Sequence, residues 1–147
     1  YRVLRQAQDK RSRDILRLAG YAALFDIPDA GRDTILPGAF AATLAARNAP
    51  LPLLWQHRAS QRIGWVETAR EDARGLRVIA GLDPCTRPAA LLAAGGVSGL
   101  SFGYRARDFR ITPQGRVLHA LDLFEVSLVT HPLQHGARVH WTEPNSD

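Results

Sequence analysis

The sequence predicts a mainly β protein with two short α-helices, whose strands are expected to form an antiparallel barrel. Three observations lead to this fold class. Apolar runs of strand length dominate the 147 residues and are separated by turn-forming residues. These runs follow one another at hairpin spacing, without a helix after each strand, which disfavours a parallel α/β sheet. Closing such a sheet into a barrel also removes its exposed strand edges.

Seven strands are expected along the chain, each an apolar or alternating run bounded by turn residues. Their ranges are 15–25, 51–57, 63–68, 75–82, 97–109, 116–130 and 137–141. A turn at 112–115 joins the two longest strands into a hairpin. Helices are expected at 37–47, where a proline opens a run of helix formers, and at 86–94, where Thr86 caps the first turn and two glycines follow.

The positive charge of the chain is concentrated at its N-terminus. The chain carries 19 Lys and Arg against 14 Asp and Glu, a formal net charge of +5. Residues 1–13 hold five basic side chains and one acid, which gives +4, so the other 134 residues carry +1. We therefore divide the chain into a basic arm at 1–13, one barrel domain at 14–141 and a C-terminal tail at 142–147. Such an arm is typical of a segment that contacts nucleic acid or an acidic partner, and a solvated leader is the alternative.

Composition disfavours several classes of protein. The apolar runs are far shorter than the ~20 residues that span a bilayer, so no membrane segment is expected. The one cysteine, Cys85, cannot form an internal disulfide, and we expect a buried, unreactive thiol in a reducing compartment. The histidines near the C-terminus lack the spacing of a helical zinc motif, and no glycine-rich phosphate loop with a lysine occurs. We therefore expect no metal and no cofactor.

A candidate nucleophile lies at residues 99–103, whose sequence Gly-Leu-Ser-Phe-Gly matches the pattern G-x-S-x-G. This pattern exposes the hydroxyl of a serine, here Ser101, on a tight turn. A serine between glycines in a strand is also typical of a bulge or a close packing contact. An α/β-hydrolase is disfavoured, because the chain continues as a strand after Ser101 where that fold requires a helix.

A serine nucleophile requires a base and a group that orients the base. His57 ends an apolar strand directly before a polar loop, where it would be both held in place and accessible to solvent. Glu125 interrupts the otherwise apolar strand 121–129, and a buried carboxylate needs a partner. That partner is either one of the many arginines or a histidine, and the second alternative would make Glu125 the residue that orients His57.

Nucleic-acid binding is the main alternative function. Aromatic and basic residues alternate in one strand, as they do in strands that stack bases. These residues are Phe102, Tyr104, Arg105, Arg107, Phe109 and Arg110. A serine hydrolase of another class, built on the same G-x-S-x-G pattern, is a third hypothesis.

Short sequence blocks spread over residues 18–138 form a recognisable set. They are GYA at 20–22, FD at 25–26, DTILPGAF at 33–40, LLWQH at 53–57, IG at 63–64, RGL at 74–76, GLSFGY at 99–104 and LFEVSLVTHP at 123–132. In this order and spacing they resemble the caudovirus prohead serine protease family, which processes capsid proteins in tailed phages and related particles.

The resemblance implies a serine endopeptidase with a fold similar to the barrel of herpesvirus assemblin. Ser101 would be the nucleophile and His57 the base. Glu125, 24 positions after Ser101, would stand where the herpesvirus enzymes use a second histidine. Arg138 is a candidate oxyanion donor by analogy with an arginine-bearing loop of those enzymes.

The resemblance also implies a substrate and a location. The substrate would be the scaffold region of the major capsid protein, or a separate scaffold protein, cut inside the assembling procapsid in the host cytoplasm. Self-cleavage and self-association are further expectations. A phage and a gene-transfer-agent particle both fit the sequence. The non-enzymatic alternative is a barrel that binds nucleic acid or scaffold through the arm at 1–13.

Overall fold

Eight strands and two short helices make up residues 15–144, the part of the chain that the computed structural model describes. The strands are β1 Leu16–Leu24, β2 Asp33–Ile35, β3 Leu51–Trp55, β4 Arg58–Glu71, β5 Gly75–Leu82, β6 Gly99–Thr112, β7 Gly115–Val129 and β8 Val139–Pro144. The helices are α1 Ala41–Ala45 and α2 Arg87–Ala93. The basic arm predicted at 1–13 lies outside the described residues, and β8 extends into the segment 142–147 that the sequence predicts to be a tail.

All eight strands belong to one sheet, with the order β2-β7-β3-β4-β5-β1-β8 and with β6 paired to β7. β6 pairs with β7 along its whole length, so β2 and β3 share the other edge of β7. β2 lies against the first residues of β7 and β3 against the last, and both run parallel to it. The remaining pairs are antiparallel. β7 is therefore the strand around which the sheet is organised.

The predicted antiparallel barrel is wrong in two respects. The sheet is mixed, because β2 and β3 pair with β7 in parallel. It is also not closed: among the described residues, the two ends approach through one isolated bridge between Gly99 and Arg138. From Val139 onward the chain pairs with β1, so no continuous ladder forms with β6. Alternating hydrophobicity identifies a strand, but it contains no information about the direction of the neighbouring strand.

The helix predicted at 37–47 is shorter than expected, and its start is fixed by a distant carboxylate. α1 begins after Phe40, which has no side-chain cap. Instead, Glu71 at the end of β4 accepts hydrogen bonds from the backbone N–H groups of Gly38 (2.7 Å) and Phe40 (2.8 Å). Gly38 has a φ of +92°, which favours glycine. The helix predicted at 86–94 is confirmed, and the Thr86 hydroxyl accepts a hydrogen bond from the N–H of Ala89.

The apolar core lies between the strands and includes one large ring from each of three segments. Phe40 is fully buried and packs against Phe25 and Phe102, with ring centroids 6.3 and 5.4 Å away. Leucines from β1, β3, β5, β6 and β7 complete the core. Neither helix among residues 15–144 has the length and apolar character needed to cross a bilayer.

An ion pair between a buried carboxylate and a partly exposed arginine attaches the short strand β2 to β7. Asp33 accepts two hydrogen bonds from the guanidinium of Arg116, at 2.9 and 2.8 Å, and one from the hydroxyl of Tyr104. The bond to Arg116 holds the pKa of Asp33 below its ordinary value, although burial opposes this shift. An arginine was one of the two partners that the sequence allowed for Glu125, and the structure shows such a partner at Asp33.

Candidate active site

The β6–β7 ladder brings the predicted serine and glutamate to one face of the sheet. Ser101 lies directly opposite Ser127, and Gly103 lies directly opposite Glu125. Side chains two residues apart on a strand share a face, as do residues directly opposite each other. Ser101, Ser127 and Glu125 therefore project to the same side, and all three are buried, with 2%, 0% and 8% of their surface exposed.

His57 lies in the two-residue turn that joins β3 to β4, and this turn has an unusual backbone. Gln56 and His57 have φ angles of +54° and +61°. Two left-handed residues are typical of the hairpin turn that usually contains Asn-Gly, and each costs a non-glycine residue about 1–2 kcal/mol. The strained turn is attached to β7: the N–H of Gln56 donates to the carbonyl of Leu128, and its side chain exchanges two hydrogen bonds with Thr130.

His57, Glu125 and Ser127 form a closed ring of hydrogen bonds. Nδ1 of His57 lies 2.6 Å from Oε1 of Glu125. The Ser127 hydroxyl donates to Oε2 of Glu125 (2.5 Å) and accepts from the backbone N–H of His57 (3.1 Å). A carboxylate only accepts hydrogen bonds, so Nδ1 carries a proton, and in the neutral ring Nε2 is left free to accept one.

The electrostatics of the pair follow from its unequal burial. Glu125 is almost fully shielded, whereas 40% of the His57 side chain is exposed. The hydrogen bond to Glu125 raises the pKa of the His57 imidazole above its ordinary value and outweighs the opposing effect of burial. The arrangement therefore stabilises the imidazolium form relative to that of a free histidine while keeping the ring in contact with water.

The hydroxyl of Ser101 is buried and has no hydrogen-bond partner among the described residues. Leaving a buried hydroxyl unpaired costs about 1–3 kcal/mol, so such groups are uncommon in folded proteins. The structure contains no hydrogen bond between Ser101 and His57. It therefore places a pre-formed His57–Glu125 pair and an unpaired serine hydroxyl at one site, without joining them.

Both glycines of the G-x-S-x-G pattern are needed for close packing. A Cβ atom on Gly103 would lie 2.5 Å from Oε1 of Glu125, so this glycine makes room for the carboxylate. A Cβ atom on Gly99 would lie 2.5 Å from the carbonyl oxygen of Val129 and 2.8 Å from the ring of Pro132. The pattern occurs here within a continuous strand, and its glycines admit neighbouring groups.

Arg138 precedes β8 and forms the isolated bridge with Gly99, which places it on the sheet face that carries Ser101. Its guanidinium donates to the carbonyl of His135 (2.8 Å) and to the hydroxyl of Ser98 (3.2 Å). Its backbone carbonyl accepts from the N–H of Tyr21. The oxyanion role predicted for Arg138 stays a prediction.

The structure does not bring the other candidate groups to this site. The remaining histidines are all exposed and make no contact with the ring of hydrogen bonds; they are His119, His131, His135 and His140. Cys85 is exposed, and the prediction that its thiol is buried is wrong, because it lies in the turn before α2. In the alternating aromatic and basic strand, Phe102 is in the core, Phe109 is exposed, and Arg105 and Arg107 both bind Asp122, so nucleic-acid binding by this strand stays a prediction.

Two residues of the site were not predicted from the sequence. Ser127 follows Glu125 by two positions, and this spacing alone could have placed its hydroxyl beside the carboxylate. Gln56 gives no such signal, because a Gln-His pair is not typical of a left-handed turn.

The sequence is similar to a described protein family over nearly its whole length. The family described as caudovirus prohead serine protease matches residues 3–146. The chain is 34% identical over 128 residues to the prohead protease of Enterobacteria phage HK97, covering 82% of this chain and 57% of that protein. It is 31% identical over 124 residues to the capsid polyprotein of Pseudomonas phage PAJU2, covering 76% of this chain and 18% of that protein. The chain thus spans little more than half of one relative and under a fifth of the other.

Solved structures of viral proteases have a similar fold. Varicella-zoster virus protease has a TM-score of 0.61 at 16% identity, covering 88% of this chain and 64% of that one. The bacteriophage T4 capsid assembly protease has a TM-score of 0.60 at 14% identity, covering 77% of this chain and 80% of that one. The predicted likeness to the fold of a herpesvirus protease is confirmed.

Proposed function

Because the chain belongs to the caudovirus prohead serine protease family, we propose that it is a serine endopeptidase of capsid maturation. Ser101 is the nucleophile, His57 the general base and Glu125 the residue that orients His57. The observation that supports this assignment most directly is the 2.6 Å hydrogen bond between His57 and Glu125, beside the unpaired hydroxyl of Ser101. That bond leaves Nε2 of His57 free to accept the serine proton.

Acyl transfer begins when Oγ of Ser101 attacks the scissile carbonyl carbon and its proton moves to Nε2 of His57. The carbonyl electron pair moves to the oxygen, and the carboxylate of Glu125 stabilises the imidazolium. When the tetrahedral intermediate collapses, the C–N bond breaks and His57 gives its proton to the leaving amine. Water then attacks the acyl-enzyme, with His57 accepting a proton from water and returning it to Ser101.

The developing oxyanion requires hydrogen-bond donors, and the loss of one typically costs about 3 kcal/mol. Arg138 is the proposed donor, and its bridge to Gly99, two residues before Ser101 on β6, supports this role. Ser98 and the carbonyl of His135 orient its guanidinium.

The proposed substrate is the scaffold region of a major capsid protein or a separate scaffold protein, cut inside an assembling phage or gene-transfer-agent procapsid in the host cytoplasm. The similarity to part of a phage capsid polyprotein supports a capsid protein as substrate, and self-cleavage is part of the same proposal. The basic arm at 1–13 is proposed to contact scaffold or nucleic acid, since it holds five basic side chains and one acid.

Co-expression with the cognate capsid protein tests this function. Intact mass should show a trimmed capsid protein with the wild-type chain and with Ser60→Ala, a matched change at an exposed serine, but not with Ser101→Ala. A serine-directed phosphonate should label Ser101. Trimming by a folded Ser101→Ala chain would remove Ser101 from the nucleophile role. Turnover of small esters without capsid cleavage would indicate a different serine hydrolase, and salt-sensitive DNA binding by a chain inert to the phosphonate would favour the non-enzymatic alternative.

A further inference from the structure

Ser127 has no exposed surface, and each hydrogen bond of its side chain goes to a proposed catalytic residue. It lies directly opposite Ser101 in the β6–β7 ladder. Its hydroxyl contacts Oε2 of Glu125 and the backbone N–H of His57. The two facing serines therefore differ, because the hydroxyl of Ser127 has two hydrogen-bond partners and that of Ser101 has none among the described residues.

The direction of each bond follows from counting donors and acceptors. The backbone N–H of His57 can only donate, so it occupies a lone pair of the Ser127 oxygen. The single hydroxyl proton of Ser127 is then directed to Oε2 of Glu125. Oε1 is left to the imidazole, which must present Nδ1–H to it. The carboxylate thus sets the tautomer in which Nδ1 of His57 carries the proton, and Ser127 holds that carboxylate in place.

The same hydroxyl also supports the strained backbone of the turn. His57 has a φ of +61°, and its backbone N–H donates a hydrogen bond to the hydroxyl of Ser127 on β7. Ser127 shares a face of the sheet with Glu125. Without Ser127 this N–H would lose its partner within the described part of the chain. A small rotation of the turn would then move the imidazole, which is attached to the same residue.

We infer that Ser127 is a positioning residue for the proposed protease, because it couples the backbone of His57 to the carboxylate of Glu125 and thereby holds the imidazole against the group that sets its tautomer. This inference rests on the proposed function. Ser127 is not a second nucleophile, since its proton is directed to a carboxylate that it shares with His57 and its side chain has no exposed surface.

The test compares Ser127→Ala and Ser127→Cys with Thr43→Ala. Thr43 is a matched control because its hydroxyl accepts a hydrogen bond from the N–H of Leu123 on the same strand β7, two residues before Glu125. We expect Ser127→Ala to lower kcat about ten- to a hundred-fold with little change in KM, since misplaced catalytic groups lose turnover. Ser127→Cys, which keeps a weaker donor of similar size, should fall between Ser127→Ala and wild type, and Thr43→Ala should equal wild type.

A second readout does not require activity. Titration of the His57 ring by ¹⁵N NMR should give a pKa above the ordinary value in the wild type and a lower value in Ser127→Ala, because the bond to Glu125 loosens. Among residues 15–144, Glu125 on β7 is the charged group that acts on this pKa. The residues of β6 that lie opposite Glu125 and Ser127 are neutral. Two other charged residues are close in sequence or strand register: Arg58 follows His57 in the β3–β4 hairpin, and Arg138 precedes β8 and bridges Gly99.

Unchanged kcat and unchanged His57 titration in folded Ser127→Ala would overturn the inference. A lower kcat with an unchanged titration curve of His57 would also overturn the inference, because a loss of stability alone would lower kcat in this way. If Ser127→Ala does not fold, Ser127→Cys decides by the same two measurements. A wild-type chain that cleaves nothing would refute the proposed function, while the NMR titration would still report whether Ser127 positions His57.

Discussion

Replacing Glu125 by Gln should lower turnover about 10²–10³-fold while leaving the fold intact. The amide keeps the size of the side chain but removes the charge that lies 2.6 Å from His57. A hydrogen bond to a charged group contributes about 1.5–3 kcal/mol, which corresponds to roughly 10- to 150-fold in rate. The new NH₂ group can also face Nδ1 and favour the wrong tautomer. The combined loss of turnover should stay below the roughly 10⁴-fold loss caused by the corresponding change in trypsin-like enzymes. The His57 side chain is 40% exposed, so water also stabilises its charge.

The pH dependence of activity should shift in a defined direction. A protonated His57 cannot accept the serine proton, so wild-type activity should rise with pH as the imidazole loses its proton, at a pH above the ordinary histidine range. In Glu125→Gln the pKa of His57 falls, so the rising limb should move to lower pH while the plateau drops. The stability contributed by the ion pair is present at low pH and is lost as pH rises through the folded pKa of His57.

Single-turnover cleavage and thermal unfolding should be measured on the same protein. Asp33→Asn is the matched control, since it also neutralises a buried carboxylate, but one that pairs with Arg116. This control should lower the melting temperature and cleave normally when folded. If Glu125→Gln cleaves at the wild-type rate with an unshifted pH profile, the reasoning is refuted and a Ser101–His57 dyad remains.

Three further outcomes are expected. His57→Ala should lower turnover about as much as Ser101→Ala, and the double variant should be little slower than either. The effects of substitutions within one catalytic unit are not additive. Additive losses in single-turnover rates would assign His57 to binding. Gly103→Ala should lower kcat about 10²-fold because the added methyl group would lie 2.5 Å from the orienting carboxylate, whereas Gly96→Ala, with its nearest neighbour at 3.4 Å, should behave as wild type. Neutralising the basic side chains of residues 1–13 should leave cleavage of a soluble peptide unchanged in a fluorogenic assay, and a large loss would place the arm in the fold or the site.

Local patterns in the sequence predicted the part of the fold that carries two of the site residues. The turn at 112–115 and the long alternating runs on either side indicated a hairpin, and Ser101 and Glu125 do lie on its two strands. The same patterns could not predict that β2 and β3 run parallel to β7, because strand direction depends on how the chain crosses between distant segments. β2 itself was missed, since three residues are too few to show alternation.

The hydrogen bonds of the site were harder to predict than its residues. The alternatives for Glu125 were an arginine and a histidine, and composition could not decide between them in a chain with many arginines. The structure assigns the arginine to Asp33 and the histidine to Glu125. The partner of Glu125 depends on the cross-strand register. This register places Gly103 opposite Glu125 and so leaves space for the carboxylate to reach the β3–β4 turn.

The unpaired hydroxyl of Ser101 supports its proposed role as the nucleophile. The other buried polar side chains satisfy their hydrogen bonds, as Gln134 does by bonding both backbone groups of Leu24. Among the described residues, one other buried side-chain atom lacks a partner, Nε of Arg47, and that guanidinium still donates to a carbonyl through another nitrogen. A fold that pairs its other polar groups so completely would gain about 1–3 kcal/mol by pairing this one too. The proposed nucleophile must instead keep its proton available to a base, and a permanent structural acceptor for that proton would compete with the base.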